Sequence, residues 1–169
     1  MKTQLYLHIG RPKVGSTAIQ AFLNKNQKLL ESLKICYPRT GLYQGASHHF
    51  SLAFLPELSD HRMTQVRPIG DLVSDLVIEQ RKMGAEIIVL SSEHFWLLDP
   101  STLPSYFSDH FETRIIAYVR RQDDVIASSY IQELRSGSVS LDLPMNVYIS
   151  DEKRLALLDY DCVLSRWEK

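Results

Sequence analysis

The chain has 169 residues, of which 44% are hydrophobic, and this indicates a single globular domain over residues 1–169 with a buried core. Its net charge of −1 argues against general binding to nucleic acid. The longest apolar runs have the length of strands, so no membrane span is expected, and the first strand begins too near Met1 to leave room for a signal peptide. Cys36 and Cys162 have no metal-binding or redox spacing, so we expect no metal site and a reducing, cytoplasmic location.

The apolar pattern predicts strands that alternate with helices along the whole chain. The predicted strands are 4–9, 33–37, 86–91 and 114–120. The predicted helices are 16–33, 50–58, 69–83, 100–110, a helix that Asp123 or Asp124 caps and that runs to about Arg135, and a last stretch from Ser150 or Asp151 with a break near Tyr160. Such alternation is typical of an α/β fold, here a three-layer α/β/α arrangement around a central parallel sheet, with ligands at the carboxyl ends of the strands.

Residues 10–17, Gly-Arg-Pro-Lys-Val-Gly-Ser-Thr, keep the glycine spacing of a phosphate-binding loop between the first strand and the first helix. Backbone N–H groups and a helix N-terminus can hold a phosphate there. The excess of seven Lys/Arg over one acidic residue in residues 1–39 also suits an anionic ligand. A loop for ATP would carry lysine directly before the final Ser/Thr, but Ser16 occupies that position and the lysine is Lys13. We therefore predict a P-loop-like phosphate site whose donor differs from a nucleoside triphosphate.

Two segments together resemble the sulfotransferases that use 3′-phosphoadenosine-5′-phosphosulfate (PAPS). Residues 12–17 resemble the 5′-phosphosulfate loop of that family. Residues 120–130, Arg-Arg-Gln-Asp-Asp-Val-Ile-Ala-Ser-Ser-Tyr, resemble its 3′-phosphate segment, in which an arginine ends a strand and a serine follows eight residues later. The motifs occur in the family's order, and the resemblance extends from the first strand to about Gly137. Ala18 departs from the cytosolic small-molecule enzymes, so the chain is closer to bacterial and Golgi-type carbohydrate sulfotransferases.

The resemblance implies transfer of a sulfuryl group from PAPS, without a metal, to a hydroxyl or amine of an acceptor, which we expect to be a carbohydrate in a bacterial cell. The residues that it implies for PAPS binding are Arg11, Lys13, Gly15, Ser16, Thr17, Arg120 and Ser128. Lys13 is expected to neutralise charge on the leaving phosphate. An arginine fork and a hydroxyl suit the second phosphate. For Arg120 the alternative is an ion pair with Asp123 or Asp124.

The base that takes the acceptor's proton has four candidates, which are His48, His49, Glu93 and His94. His48 and His49 lie in a predicted loop that leads into a short helix after the second strand, where several carbohydrate sulfotransferases have a histidine base. Histidine titrates near neutral pH, and His49 is slightly preferred. Related enzymes carry an acidic residue in the region of Glu93. His8, inside the first strand, is predicted to be a core histidine with satisfied hydrogen bonds.

Two other functions stay open. A P-loop kinase or NTPase would need Mg²⁺ held partly by an aspartate after a strand, and neither the third strand nor the fourth is followed directly by one. The other is a catalytically inactive, nucleotide-binding remnant of the fold, because family members usually continue beyond the point that corresponds to Lys169. The chain is therefore expected to be a C-terminally truncated domain.

Overall fold

The computed structural model describes residues 2–58 and 66–168. These residues group into two compact units, Met1–Tyr118 and Val119–Lys169, and each unit is described by itself. No helix in the described part of the chain is both long and apolar enough to cross a bilayer.

The first unit contains a parallel sheet of four strands. The strands are β1 (Thr3–His8), β2 (Ile35–Cys36), β3 (Ile87–Ser91) and β4 (Phe111–Ile116), in the spatial order β2-β3-β1-β4. Leu5 and Leu7 of β1 and Ile88 and Leu90 of β3 are fully buried, as expected for strands of a parallel sheet covered by other elements. His8 pairs in register with Ser91 and with Ile116, so β1, β3 and β4 end at the same level.

Helices flank this sheet. They are α1 (Ser16–Lys25), α2 (Gln27–Ser32), α3 (His48–Leu52), α4 (Ile69–Met83) and α5 (Pro104–Phe107), with short 3-10 helices at Pro56–Leu58, Glu93–Leu97 and Pro100–Thr102. α4 buries Leu72, Val73 and Leu76 on one face, and Gly84 ends it in the left-handed conformation (φ 61°), which glycine adopts without steric cost. The predicted α/β class with a parallel sheet is confirmed.

The second unit is helical. It contains α6 (Gln122–Ser136), α7 (Met145–Ile149), α8 (Glu152–Ala156) and α9 (Tyr160–Ser165). Glu133 of α6 accepts hydrogen bonds from the Tyr148 hydroxyl (2.6 Å) and from Arg154 (2.9 Å), and the Arg154 guanidinium lies 4.1 Å from the centre of the Tyr148 ring. Asp151 and Asp159 cap α8 and α9, so the predicted start of this stretch and its break near Tyr160 are confirmed.

Two predicted boundaries near the phosphate motifs are wrong. The helix predicted over 16–33 is interrupted at Asn26, whose backbone leaves the helical conformation and whose side-chain amide donates to the Phe22 carbonyl (2.7 Å). The last strand was expected at 114–120 but covers Phe111–Ile116, because β1, which pairs with it, ends at His8. Arg120 therefore lies in the segment between β4 and α6 rather than at the end of a strand.

Two helices begin earlier than predicted. α6 begins at Gln122, so neither Asp123 nor Asp124 is its cap; both lie in its first turn, where the helix dipole favours negative charge. α3 begins at His48 rather than at residue 50, because Ser47 ties its start to β3. The backbone N–H of Ser47 donates to the Ser91 carbonyl (2.8 Å), and the N–H of Ser91 donates to the Ser47 hydroxyl (3.2 Å). His48 and His49 thus stand in a helical turn fixed to the sheet.

Candidate functional site

The loop over residues 10–17 turns from the end of β1 into α1 through two residues in the left-handed conformation. These are Lys13 (φ 73°) and Gly15 (φ 100°), and Gly15 is the N-cap of α1. A Cβ on Gly15 would meet nothing within 4 Å, so the space beside the helix N-terminus is open. The first N–H groups of a helix have no partner inside the helix, and here they belong to Ser16 and Thr17. The loop can therefore present N–H donors to an anion.

The side chains of the loop differ in their exposure. Arg11 and Ser16 are buried, Lys13 is half-buried and Thr17 is exposed. Lys13 makes no ion pair or hydrogen bond with the residues that the structure describes, so its ammonium group can meet a ligand. Left-handed backbone at a lysine costs on the order of 1 kcal/mol and is typical of ligand-binding turns.

A polar cluster lies at the carboxyl end of β3 in the same unit. It consists of His48, Ser51, Ser92, Glu93 and His94, and we call it the His48 cluster. The Ser92 hydroxyl is its centre: it lies 2.8 Å from His48 Nδ1 and 2.8 Å from the Ser51 hydroxyl, and it accepts from the backbone N–H of His94 (3.3 Å). The Ser51 hydroxyl donates to the His48 carbonyl (2.9 Å).

These contacts fix the tautomer of His48. The only hydrogen of the Ser51 hydroxyl goes to a carbonyl, so Ser92 must donate its own hydrogen to Ser51. The contact between Ser92 and His48 then needs a hydrogen from the ring, which places it on Nδ1. Any other assignment leaves a buried polar contact without a hydrogen. His48 Nε2 therefore carries a lone pair and can accept a proton.

Glu93 lies beside that lone pair and links the cluster to the first helix. Its Oε2 atom is 4.0 Å from His48 Nε2 and accepts a hydrogen bond from Gln20 of α1 (3.1 Å). Gln20 is buried and stands one turn after Ser16 on the same helix. Burial alone would raise the pKa of the Glu93 carboxyl, but the hydrogen bonds from Gln20 and its own backbone N–H, with smaller effects of His48 and His94, lower it below its usual 4.5. Glu93 is therefore ionised at neutral pH.

His94 and His49, the two other histidines near His48, make different contacts. His94 stacks on His48 with ring centres 4.8 Å apart, whereas the His49 ring lies edge-on to Tyr43 at 6.1 Å. Burial lowers the pKa of His48 below its usual 6.5. The charge of Glu93 raises this pKa, whereas His94 and His49 lower it further. The pKa of His94 is lowered by burial as well, and so is that of His49, where Arg67 adds to the effect. The structure thus brings His48 together with Glu93 and His94, and it directs His49 towards Tyr43.

One residue at this edge of the sheet, His8, is not among the predicted site residues. His8 is buried as predicted, at 2% exposure, and its Nδ1 atom lies 2.7 Å from the Ser91 hydroxyl. Its Nε2 atom, however, is buried and has no hydrogen-bond partner among the described residues, so the expectation of a fully satisfied histidine is wrong. The only sequence signal was its position two residues before the first glycine of the loop.

The expected 3′-phosphate residues lie in the second unit. The predicted alternative for Arg120 is present, since its Nε atom lies 3.5 Å from Asp124 Oδ2 with both side chains 48% exposed. Arg121 pairs with Asp123 at 2.6 Å on the exposed surface. Ser128 is half-buried, one helical turn after Asp124. Because an exposed ion pair contributes at most about 1 kcal/mol, the Arg120 guanidinium could exchange Asp124 for a phosphate.

Comparisons of the chain with protein-family models, with curated proteins and with solved structures found no match. Within residues 2–58 and 66–168, no group of three or more His, Cys, Asp or Glu side chains is placed to hold a metal ion.

Proposed function

We propose that the protein transfers a sulfuryl group from PAPS to a hydroxyl or amine of an acceptor, most simply a carbohydrate, with His48 as the general base. The observation that carries the proposal is the placement of His48, whose Nδ1 atom lies 2.8 Å from the Ser92 hydroxyl and whose Nε2 atom lies 4.0 Å from Glu93 Oε2. We further propose that the sheet and its helices form the three-layer, P-loop type of α/β fold, in which ligands bind at the carboxyl ends of the strands.

The residues of the loop fit the phosphosulfate end of PAPS. Gly15 leaves space beside the N-terminus of α1, and Lys13 has no partner among the described residues. Arg11, Ser16 and Thr17 complete the set that the resemblance assigns to this group. A lysine on the loop, rather than directly before the final Ser/Thr, favours a phosphosulfate over the triphosphate of ATP. Arg120 and Ser128 are the residues proposed for the 3′-phosphate.

His48 performs the proton transfer in this proposal. Its Nε2 accepts the proton of the acceptor hydroxyl while the acceptor oxygen bonds to sulfur and the bond from sulfur to the 5′-phosphate oxygen breaks. The electron pair of that bond leaves with the phosphate, where the Lys13 ammonium and the N–H groups of the loop neutralise the added charge. Glu93 stabilises the imidazolium that His48 becomes. Ser92 holds the ring, so Nε2 is the nitrogen that faces Glu93.

Binding of the two nucleotides tests the donor. The product 3′-phosphoadenosine-5′-phosphate, added at about 100 times its Kd, should stabilise the whole chain by about 2.7 kcal/mol in a thermal-shift assay, and ATP with Mg²⁺ should not. Stabilisation by ATP alone, with magnesium-dependent hydrolysis, would instead establish the kinase or NTPase class.

Transfer tests the reaction. Incubation with PAPS labelled in its sulfur, and with a panel of glycans, should move the label to at least one acceptor. If the bisphosphate binds but no glycan is labelled by this chain or by a longer one, the protein is a nucleotide-binding remnant and the proposal of transfer fails.

A further inference from the structure

One of the two ring nitrogens of the buried His8 has no hydrogen-bond partner among the described residues. It ends β1 at 2% exposure, Nδ1 meets the Ser91 hydroxyl, and the Tyr118 ring packs edge-on against the imidazole with ring centres 5.3 Å apart. Nε2 is buried and unpartnered among the described residues. A buried polar atom without a partner is destabilising and is rare in native proteins, so its presence calls for an explanation.

The partner at Nδ1 decides what Nε2 carries. The Ser91 hydroxyl is fully buried, and His8 Nδ1 is its one side-chain hydrogen-bond contact among the described residues. If Ser91 donates to Nδ1, the ring hydrogen sits on Nε2 and that N–H is the single unmet group. If Nδ1 donated instead, both the Ser91 hydrogen and the Nε2 lone pair would be unmet. The first arrangement leaves fewer buried groups unsatisfied, so Nε2 bears the hydrogen.

This N–H lies against the first residue of the loop. A Cβ built on Gly10 would stand 2.6 Å from His8 Nε2 and 3.0 Å from Cε1. Gly10 is therefore a glycine because the edge of the imidazole occupies the space of a side chain. The Nε2–H of His8 thus lies against Gly10, the first residue of the loop whose other glycine, Gly15, is the N-cap of α1.

We propose that His8 belongs to the anion site of the loop, and that its Nε2–H donates a hydrogen bond to an oxygen of the phosphate or sulfonate group held by residues 10–17. Ser91 is the positioning residue that places the hydrogen on Nε2. His8 is an uncharged donor, since burial lowers the pKa of its ring, with Glu93 opposing this. It binds an oxyanion without adding charge beside Lys13. The identity of the anion as PAPS rests on the proposed function, whereas the presence of an anion does not.

The test on the unaltered chain uses protein labelled with ¹⁵N at histidine. The spectrum should show His8 protonated at Nε2 in the free protein. Addition of 3′-phosphoadenosine-5′-phosphate, or of inorganic pyrophosphate in a second sample, should move the Nε2–H resonance and slow its exchange with water. The resonance is assigned by its loss in His8→Asn, and His110, exposed and distant in sequence, is the internal control.

Variants test the same contact by affinity. His8→Asn keeps a polar group near Ser91 but removes the one at Nε2, and it should weaken binding of the bisphosphate about tenfold or more. His8→Gln, whose amide nitrogen reaches the position of Nε2, should restore most of that affinity. His110→Asn should bind like the unaltered chain. Rescue by glutamine is not expected if His8 only fills space.

The outcomes separate this inference from the proposed function. If pyrophosphate and ATP move the His8 resonance and the bisphosphate does not, His8 is an anion ligand and the sulfotransferase proposal fails. If the bisphosphate stabilises the chain but the His8 resonance does not move, the inference is overturned while the proposed function stands. A free protein with the hydrogen on Nδ1, or one that binds none of these anions, would overturn the inference as well.

Discussion

Serine hydroxyls contact a ring nitrogen of two histidines at one edge of the sheet, the buried His8 and the half-buried His48. With the hydrogen positions inferred above, Ser92 accepts from His48 Nδ1 and leaves Nε2 as a lone pair, whereas Ser91 donates to His8 Nδ1 and leaves Nε2 as a donor. Two neighbouring serines thus give two histidines opposite tautomers. The proposed transfer of a sulfuryl group would use both kinds of nitrogen, because one group takes a proton and others hold the anion.

At the residue scale we predict that His48, and not the adjacent His49, is the general base. His48→Asn keeps a donor for Ser92 but removes Nε2, so kcat should fall by about 10²- to 10⁴-fold while the Kd for the bisphosphate stays unchanged. His49→Asn is the matched control and should transfer sulfate at nearly the original rate, because its ring lies beside Tyr43. The pair is measured by transfer kinetics and calorimetric binding. A loss confined to His49→Asn would identify that residue as the base.

Glu93 should shift the pH dependence of the rate. The base must be neutral, and burial lowers the pKa of His48, so kcat/KM should rise with pH to a plateau, with its midpoint below 6.5. Glu93 favours the charged ring, and Glu93→Gln therefore lowers the pKa of His48 further and moves the midpoint to lower pH. The plateau should also fall, because the imidazolium loses its counter-ion. A pH profile that loses its acid limb in this variant would mean that Glu93, not His48, is the group that titrates.

At the scale of elements, the ends of strands and helices follow their tertiary partners. β4 stops at Ile116 because β1 stops at His8, and α3 starts at His48 because Ser47 is hydrogen-bonded to Ser91. Arg120 consequently lies in the segment before α6, where Tyr160 donates a hydrogen bond to its carbonyl (2.7 Å). This contact fixes the backbone of Arg120 and leaves its guanidinium half exposed beside Asp124.

The segment before α6 offers a test of the 3′-phosphate assignment. Arg120→Ala should weaken binding of the bisphosphate by about tenfold or more, since it removes a charge-assisted contact. Binding of adenosine 5′-phosphosulfate, which lacks the 3′-phosphate, should not change. Arg121→Ala removes a neighbouring exposed ion pair with Asp123 and is the control. If Arg120→Ala alters the melting temperature without ligand but not the affinity, Arg120 serves only its pair with Asp124.

At the scale of the whole molecule, the strand order of the parallel sheet determines which side chains of the first unit come into contact. The order β2-β3-β1-β4 places β3 between β2 and β1, so segments that follow β2 and β3 in sequence share one edge with the loop after β1. His48 and Ser92, which are 44 residues apart, meet there, and so do Gln20 and Glu93, which are 73 apart. The strand order therefore brings the residues of the candidate site together.

Histidines whose pKa is lowered by partial or full burial should make the stability of the fold sensitive to acid. Burial lowers the pKa of four histidines in the folded chain below the usual 6.5, and these are His8, His48, His49 and His94. Below pH 6.5 the unfolded chain therefore binds more protons, and stability falls as the pH falls towards the folded pKa values. Each such group costs at most about 1.4 kcal/mol per pH unit. The carboxyl of Glu93 contributes only below its ordinary 4.5.

Thermal unfolding without ligand measures this effect. The melting temperature should be nearly constant from pH 8 to pH 7 and should fall steadily from pH 6.5 to pH 5. His8→Asn removes one of the histidines whose pKa is lowered and should reduce the slope. A melting temperature that stays level down to pH 5 would contradict the lowered pKa values.

The sequence by itself determined the α/β class, the parallel sheet and the residue types at the carboxyl ends of its strands. These properties follow from apolar periodicity and from glycine and capping residues, whose effects are local. Only the tertiary structure decided that His48 rather than His49 lies beside Glu93, and that His8 Nε2 is buried without a hydrogen-bond partner among the described residues. Hydrogen bonds between residues dozens of positions apart depend on strand order and register, and no local pattern encodes which of two adjacent histidines faces the serine that follows β3.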